Sequence, residues 1–145
     1  METSDLQSLS EADAAERLLA FDIMPTPQRV RIAQVLLVRD QHLSAEQVLE
    51  RVNQIENCVS KATVYNTLGL FARKGILREV IVDPTRVFYD TNNRPHHHFY
   101  HVDSGRLQDI MTDQLGLEGL PELPPGTVAE GVDIIVRVRR DQGTD

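Results

Sequence analysis

Residues 60–90 read SKATVYNTLGLFARKGILREVIVDPTRVFYD, and two periodicities meet inside this stretch. Ser60 and Thr63 open a helix from Lys61 to Lys74, and Val64, Leu68, Leu70 and Phe71 recur at helical spacing as its inward face. Gly75 stops that helix, because glycine adopts the left-handed conformation of a C-terminal cap without steric cost. The pattern then becomes strand-like. Ile76–Val82 and Arg86–Asp90 are β-branched and aromatic runs around Asp83-Pro84-Thr85, which predicts a hairpin. On the helix, Lys61, Thr63, Tyr65, Asn66 and Arg73 are not needed for the core and offer donors suited to phosphates and base edges.

Upstream, the chain reads as further helices. Residues 8–21 form an amphipathic pattern with Ser10 and Asp13 as a capping signal and Leu9, Ala12, Leu18, Leu19 and Phe21 as expected buried positions. Pro25-Thr26-Pro27 breaks it, and Thr26 with Pro27 then starts a helix to about Arg39 whose apolar residues are Val30, Ala33, Val35, Leu36 and Leu37. Asp40–Leu43 is expected as a turn. Ser44-Ala45-Glu46-Gln47 is a capping box opening a helix striped by Val48, Leu49, Val52 and Ile55. Helices followed by a two-stranded hairpin give the winged helix-turn-helix arrangement, in which the helix before the wing enters the major groove.

Downstream lies Asn92-Asn93-Arg94-Pro95-His96-His97-His98-Phe99-Tyr100-His101, with four of the chain's five histidines. The asparagines and Pro95 read as a hinge. Extended backbone after Pro95 places His96 and His98 on one side and His97 on the other. Two imidazoles on one face suit a borderline metal ion; the competing reading is a solvated histidine run. Phe99–Val102, Leu107–Ile110 and Val132–Val138 are expected strands, Met111–Leu117 a short helical segment, and Gly119–Gly126 a loop. Three strands in about 50 residues bury too little apolar surface to stand alone, which predicts pairing with a second copy.

Composition limits the alternatives. The chain has 145 residues, 41% hydrophobic and 26% charged, as in soluble globular proteins. It holds no membrane-spanning run and no secretory signal, so a cytoplasmic location is expected. Cys58 is the sole cysteine, which excludes an internal disulfide and a cysteine-built zinc site. The net charge of −7 weighs against general nucleic-acid affinity, but binding depends on a local patch. The segment Arg29–Arg86 carries slightly more bases than acids. No paired acid and base, nucleophile elbow or phosphate-binding glycine loop is present, so an enzyme is not expected.

Several stretches taken jointly resemble the ferric uptake regulator (Fur) family. They are Thr26-Pro27-Gln28-Arg29, His42-Leu43-Ser44-Ala45-Glu46, Ala62–Leu68, Gly75-Ile76-Leu77, and the histidine cluster followed by Gly105–Ile110. The resemblance implies an α+β homodimer. Residues 1–90 would be a winged-helix DNA-binding domain, with 1–7 a disordered tail, 91–95 a hinge, and 96–145 a small α/β domain for dimerisation and metal or haem sensing. It also implies a metal site built from His42, Asp90, His96, His98 and Asp109, a donor set suited to iron, manganese or zinc in the divalent state. Operator contacts would come from Arg29, Lys61, Thr63, Tyr65, Asn66 and Arg73.

Departures from the family pattern narrow the reading. The Cys-x-x-Cys positions of a structural zinc site are here His101 and Ser104, Met24 replaces a frequent basic residue, and Asn66 stands where arginine is common. The cysteine-free pattern and His96-His97-His98-Phe99-Tyr100 look most like the iron response regulator (Irr) branch, which implies haem on His96, His97 or His98 and control of iron-homeostasis genes. Imidazole is a competent axial haem ligand. A peroxide-responsive repressor using iron or manganese at the same His/Asp site is the other reading within the family. A metal-buffering or haem-carrying protein that reads no DNA is a further alternative.

Overall fold

The computed structural model describes residues 8–54, 59–92, 96–111, 114–116 and 118–142. The expected N-terminal tail, Ile55, Cys58 and the central hinge residues Asn93, Arg94 and Pro95 lie outside these. The chain divides into two compact units, Met1–Asn93 and Arg94–Asp145.

In the first unit, four helices precede the hairpin: α1 Glu11–Ala20, α2 Pro27–Leu36, α3 Ala45–Val52 and α4 Lys61–Lys74. Each begins at a hydroxyl cap. Ser10, Thr26, Ser44 and Ser60 accept from the backbone N–H three residues on. Ser44 and Gln47 make the full reciprocal box. Pro27 occupies the first turn of α2, where no N–H is required, and Gly75 at φ 87° terminates α4.

Two expectations for the helices fail. Ala12 and Leu19 are exposed; Leu18 is buried as expected, and Ala14 is buried with it. Residues 14 and 18 share one stripe, four apart, whereas 12 and 19 share the opposite one, seven apart. Helix α2 ends at Leu36 rather than Arg39. The Gln41 side-chain amide donates to the carbonyls of Val35 and Leu36 at 3.1 and 2.8 Å, and so occupies the acceptors that further turns would use. Leu18, Ile32, Leu36, Val48, Val64, Leu68 and Phe71 interlock as a core from all four helices.

The wing is the expected hairpin, β2 Arg78–Asp83 and β3 Arg86–Asp90. The anticipated turn at Asp40–Leu43 is a correction. His42 and Leu43 form a short strand, β1, which pairs antiparallel with β3 in the order β1-β3-β2. Without β1, one edge of β3 would present unpaired backbone groups. Helices packed on a three-stranded wing sheet make this unit a winged helix-turn-helix.

The second unit is a separate sheet, β5-β4-β6, from β4 His97–His101, β5 Arg106–Ile110 and β6 Ile135–Val138. β5 is antiparallel to β4, and β6 is parallel to it. Tyr100, Leu107 and Ile110 are buried. Of the helical segment expected at Met111–Leu117, Thr112, Asp113 and Leu117 lie outside the described residues; Gln114 N–H donates to the Met111 carbonyl at 2.9 Å. No helix among the described residues is long and apolar enough to cross a membrane.

Candidate metal centre

Of the five expected ligands, His42 and Asp90 belong to the first unit and His96, His98 and Asp109 to the second. In the first unit, β1–β3 register sets His42 directly opposite Asp90, and directly opposed residues of an antiparallel pair project to the same face. The His42 ring also meets Phe88 edge-on, with centroids 6.4 Å apart. The Asp90 carboxylate accepts from the Asn92 N–H at 2.9 Å, which fixes its orientation. Thr91 is the residue that sequence reasoning missed. Its hydroxyl accepts from Gln41 N–H at 2.9 Å and donates to the Arg39 and Gln41 carbonyls at 3.1 and 3.2 Å. It therefore pins β1 against β3, and its one visible signal was a hydroxyl immediately after a strand-ending aspartate.

In the second unit, strand alternation gives the expected split. His96 and His98 are buried side by side, with ring centroids 4.5 Å apart. β4–β5 register sets Asp109 across from His98. The Nε2 atoms of both rings lie 3.3 Å from the same Asp109 Oδ1, and the ligand atoms of all three lie within 4.8 Å of one another. His97 points the other way, and its Nδ1 accepts from the Ile134 N–H at 3.0 Å, joining β4 to the approach of β6. The triplet is thus not one ligand set.

The donor chemistry fits a divalent ion. Two imidazoles and one carboxylate oxygen converging on one point are a nitrogen and oxygen donor set that a borderline divalent cation accepts once the ring nitrogens turned to it carry no proton. Bonds of about 2.1 Å, opened to about 100°, span 3.3 Å between neighbouring ligand atoms.

The polar face of α4 is the second candidate surface. Lys61, Ala62, Tyr65, Asn66 and Arg73 are exposed along one side, and the Lys61 ammonium lies 5.9 Å from the Tyr65 ring centroid. Thr63 sits apart from them, and its hydroxyl accepts from Ser60 at 3.0 Å in the cap. Arg29 is half-buried and donates to the Met24 carbonyl at 3.0 Å. Tyr89 of β3 lies close enough to be affected by Tyr65. Burial first, then the charge of Glu79 across the hairpin, then that of Tyr65, raises the Tyr89 pKa, which keeps this phenol neutral.

Residues 22–119, most of the chain, match the ferric uptake regulator family. The chain belongs to that family. A ferric uptake regulation protein of Synechococcus elongatus is 33% identical over 94 residues, 62% of this chain and 64% of that relative, so the match spans somewhat less than two thirds of it. A peroxide-responsive repressor of Staphylococcus aureus is 29% identical over 107 residues, 74% of this chain and 71% of the relative. The fold resembles the ferric uptake regulator of Pseudomonas aeruginosa with manganese, at a TM-score of 0.67 and 22% identity, covering 89% of this chain and 98% of that one. The Vibrio cholerae regulator gives the same score at 18% identity, covering 87% and 98%. At these identities the structural likeness speaks for the fold, and the Fur-family match over residues 22–119 gives the family.

Proposed function

We propose that this Fur-family chain is a metal-responsive transcriptional regulator that acts as a homodimer on operator DNA, and is not an enzyme. The observation that carries the reading is the convergence of His96, His98 and Asp109 on one point, in a chain whose other unit is a winged helix. We assign α4 to the major groove, with Lys61, Tyr65, Asn66 and Arg73 toward DNA; Arg29 adds a backbone contact and Thr63 acts through the cap.

His42 and Asp90 complete the ligand set in this proposal. Asp90 precedes His96 by six residues of sequence, so the chain between them acts as the hinge. A divalent cation held by these residues would supply positive charge to the imidazoles and carboxylates, and its occupancy would bias the regulator between states of different operator affinity. Pairing through residues 96–145 is supported by the apolar side chains exposed there, among them Met111, Val132 and Val136.

Iron-homeostasis genes are the proposed targets, with iron, manganese or zinc as the ion. The likeness to peroxide-responsive repressors supports a second version, in which Fe(II) at the same residues reports peroxide. Haem sensing, the property of the Irr branch, rests on the histidine triplet alone.

Metal analysis of the purified chain, with operator binding measured by fluorescence anisotropy, tests the proposal. Wild type is expected to hold a metal at the His/Asp site and to change operator affinity when it is removed. The His96→Ala/His98→Ala double variant is expected to lose both properties. Native metal affinity in the double variant would remove the site. Haem titration and mass spectrometry of the histidines after peroxide treatment separate the three signals.

A further inference from the structure

The second unit has a feature that the metal and DNA readings leave unused. At the His101 end of β4, the β4–β5 turn and the exit of β6 line a cleft of about 570 Å³. Its lining is His101, Asp103, Ser104, Arg106, Val138, Arg139 and Arg140. Among the described residues, three arginines and one aspartate line it, in a chain whose net charge is −7.

The charges in this cleft are not satisfied internally. Asp103, the one acid among the described lining residues, accepts from the Arg140 backbone N–H at 2.6 Å. Among the described residues, none of Arg106, Arg139 and Arg140 has a carboxylate within ion-pair distance. Arg106 reaches only His101 Nε2 at 3.2 Å and Gln108 Oε1 at 3.5 Å. That imidazole nitrogen is also 2.7 Å from Gln108 Oε1. One ring nitrogen cannot donate to the amide oxygen and accept from the guanidinium at once. Among the described residues, the exposed Arg106 therefore keeps guanidinium donors that only solvent or a bound ligand can meet. Like charges collected in a concave wall repel, unless an anion joins them.

We propose that this cleft binds a small oxyanion with two or three closely spaced anionic oxygens, as in a phosphate or a polycarboxylate. Guanidinium forks match such oxygens two at a time. Ser104 adds a hydroxyl donor, and the His101 ring lines the same wall. His101 and Ser104 are also where the Fur-family pattern carries a cysteine pair, so the positions given up as metal ligands form part of the anion cradle. The assignment stands on the second unit alone and does not depend on metal or DNA binding.

Titration of the full chain at low ionic strength, followed by NMR of the His101 ring, tests this. Inorganic phosphate is one arm, and tricarballylate, a tricarboxylate without a hydroxyl, is the other. A saturable His101 shift is expected in at least one arm, and the responding arm identifies the source of the oxyanion. Arg106→Gln with Arg140→Gln should weaken that response at least tenfold. Arg139→Gln alone, at an exposed position, should weaken it severalfold and serves if the double variant fails to fold. Arg137→Gln removes the same charge from β6 outside the cleft and should change the response less than twofold. Non-saturating shifts, or equal losses in the Arg137 variant, mean diffuse attraction and overturn the proposal. So does an effect of the cleft variants on DNA affinity with no His101 response to either small anion.

Discussion

Gly69→Ala separates what α4 needs for folding from what it needs for function. Gly69 lies in the middle of the helix Lys61–Lys74, on the exposed side between Tyr65 and Arg73. A methyl group added there meets only the Arg73 Nη1 atom, at 3.5 Å, an ordinary contact with the movable end of a long side chain. Packing therefore gives no reason for glycine. Replacing glycine by alanine inside a helix contributes about 0.4–1 kcal/mol, because the unfolded chain loses freedom and the helix gains propensity. For a unit of this size, that corresponds to an upward shift of about 2–8 °C in Tm. Thermal unfolding followed by circular dichroism reads it directly. An unchanged or lowered Tm would refute the placement of Gly69 on an open helix face. The same variant carries a second readout. If α4 lies in the groove, the added methyl sits between the two proposed contact residues, and operator affinity should fall while stability rises. A rise in both would remove the groove assignment at that point of the helix.

Lys61→Ala and Tyr65→Ala should each weaken operator binding several-fold and leave the dimer intact, and the Lys61 variant should also flatten the salt dependence; unaltered affinity in both, by anisotropy across a salt series, refutes the helix assignment. Phe71 is fully buried, so Phe71→Ala should cost about 3–5 kcal/mol in urea unfolding, and a loss under about 1 kcal/mol would show that the four-helix core does not close around it. Asp109→Asn keeps the side-chain shape on β5 and removes the charge shared by the two imidazoles. Metal affinity should drop at least tenfold by competition titration, with little change in the Tm of metal-free protein.

The local structure was legible because short-range chemistry sets it. Hydroxyl caps at Ser10, Thr26, Ser44 and Ser60, the stop at Gly75 and the alternation of the wing each depend on residues within a few positions. The opposition of His96 and His98 to His97 needed only the two-residue period of an extended chain. Which side of α1 became the inside was not legible, since Ala12 and Leu19 are as apolar as Ala14 and Leu18, and only the position of α2 chooses between the stripes. The early end of α2 was hidden for a similar reason, because a glutamine five residues on caps its carbonyls through tertiary geometry. By itself the sequence determined the helix starts and the wing hairpin, the family resemblance and which residue types bring metal-binding chemistry. The tertiary structure decided their meeting: register across β4 and β5 brings Asp109 under two imidazoles, and a two-residue strand held by Thr91 sets His42 opposite Asp90. Sequence spacing cannot encode those encounters, because strand pairing joins residues by backbone hydrogen bonds between segments whose separation along the chain is free to vary.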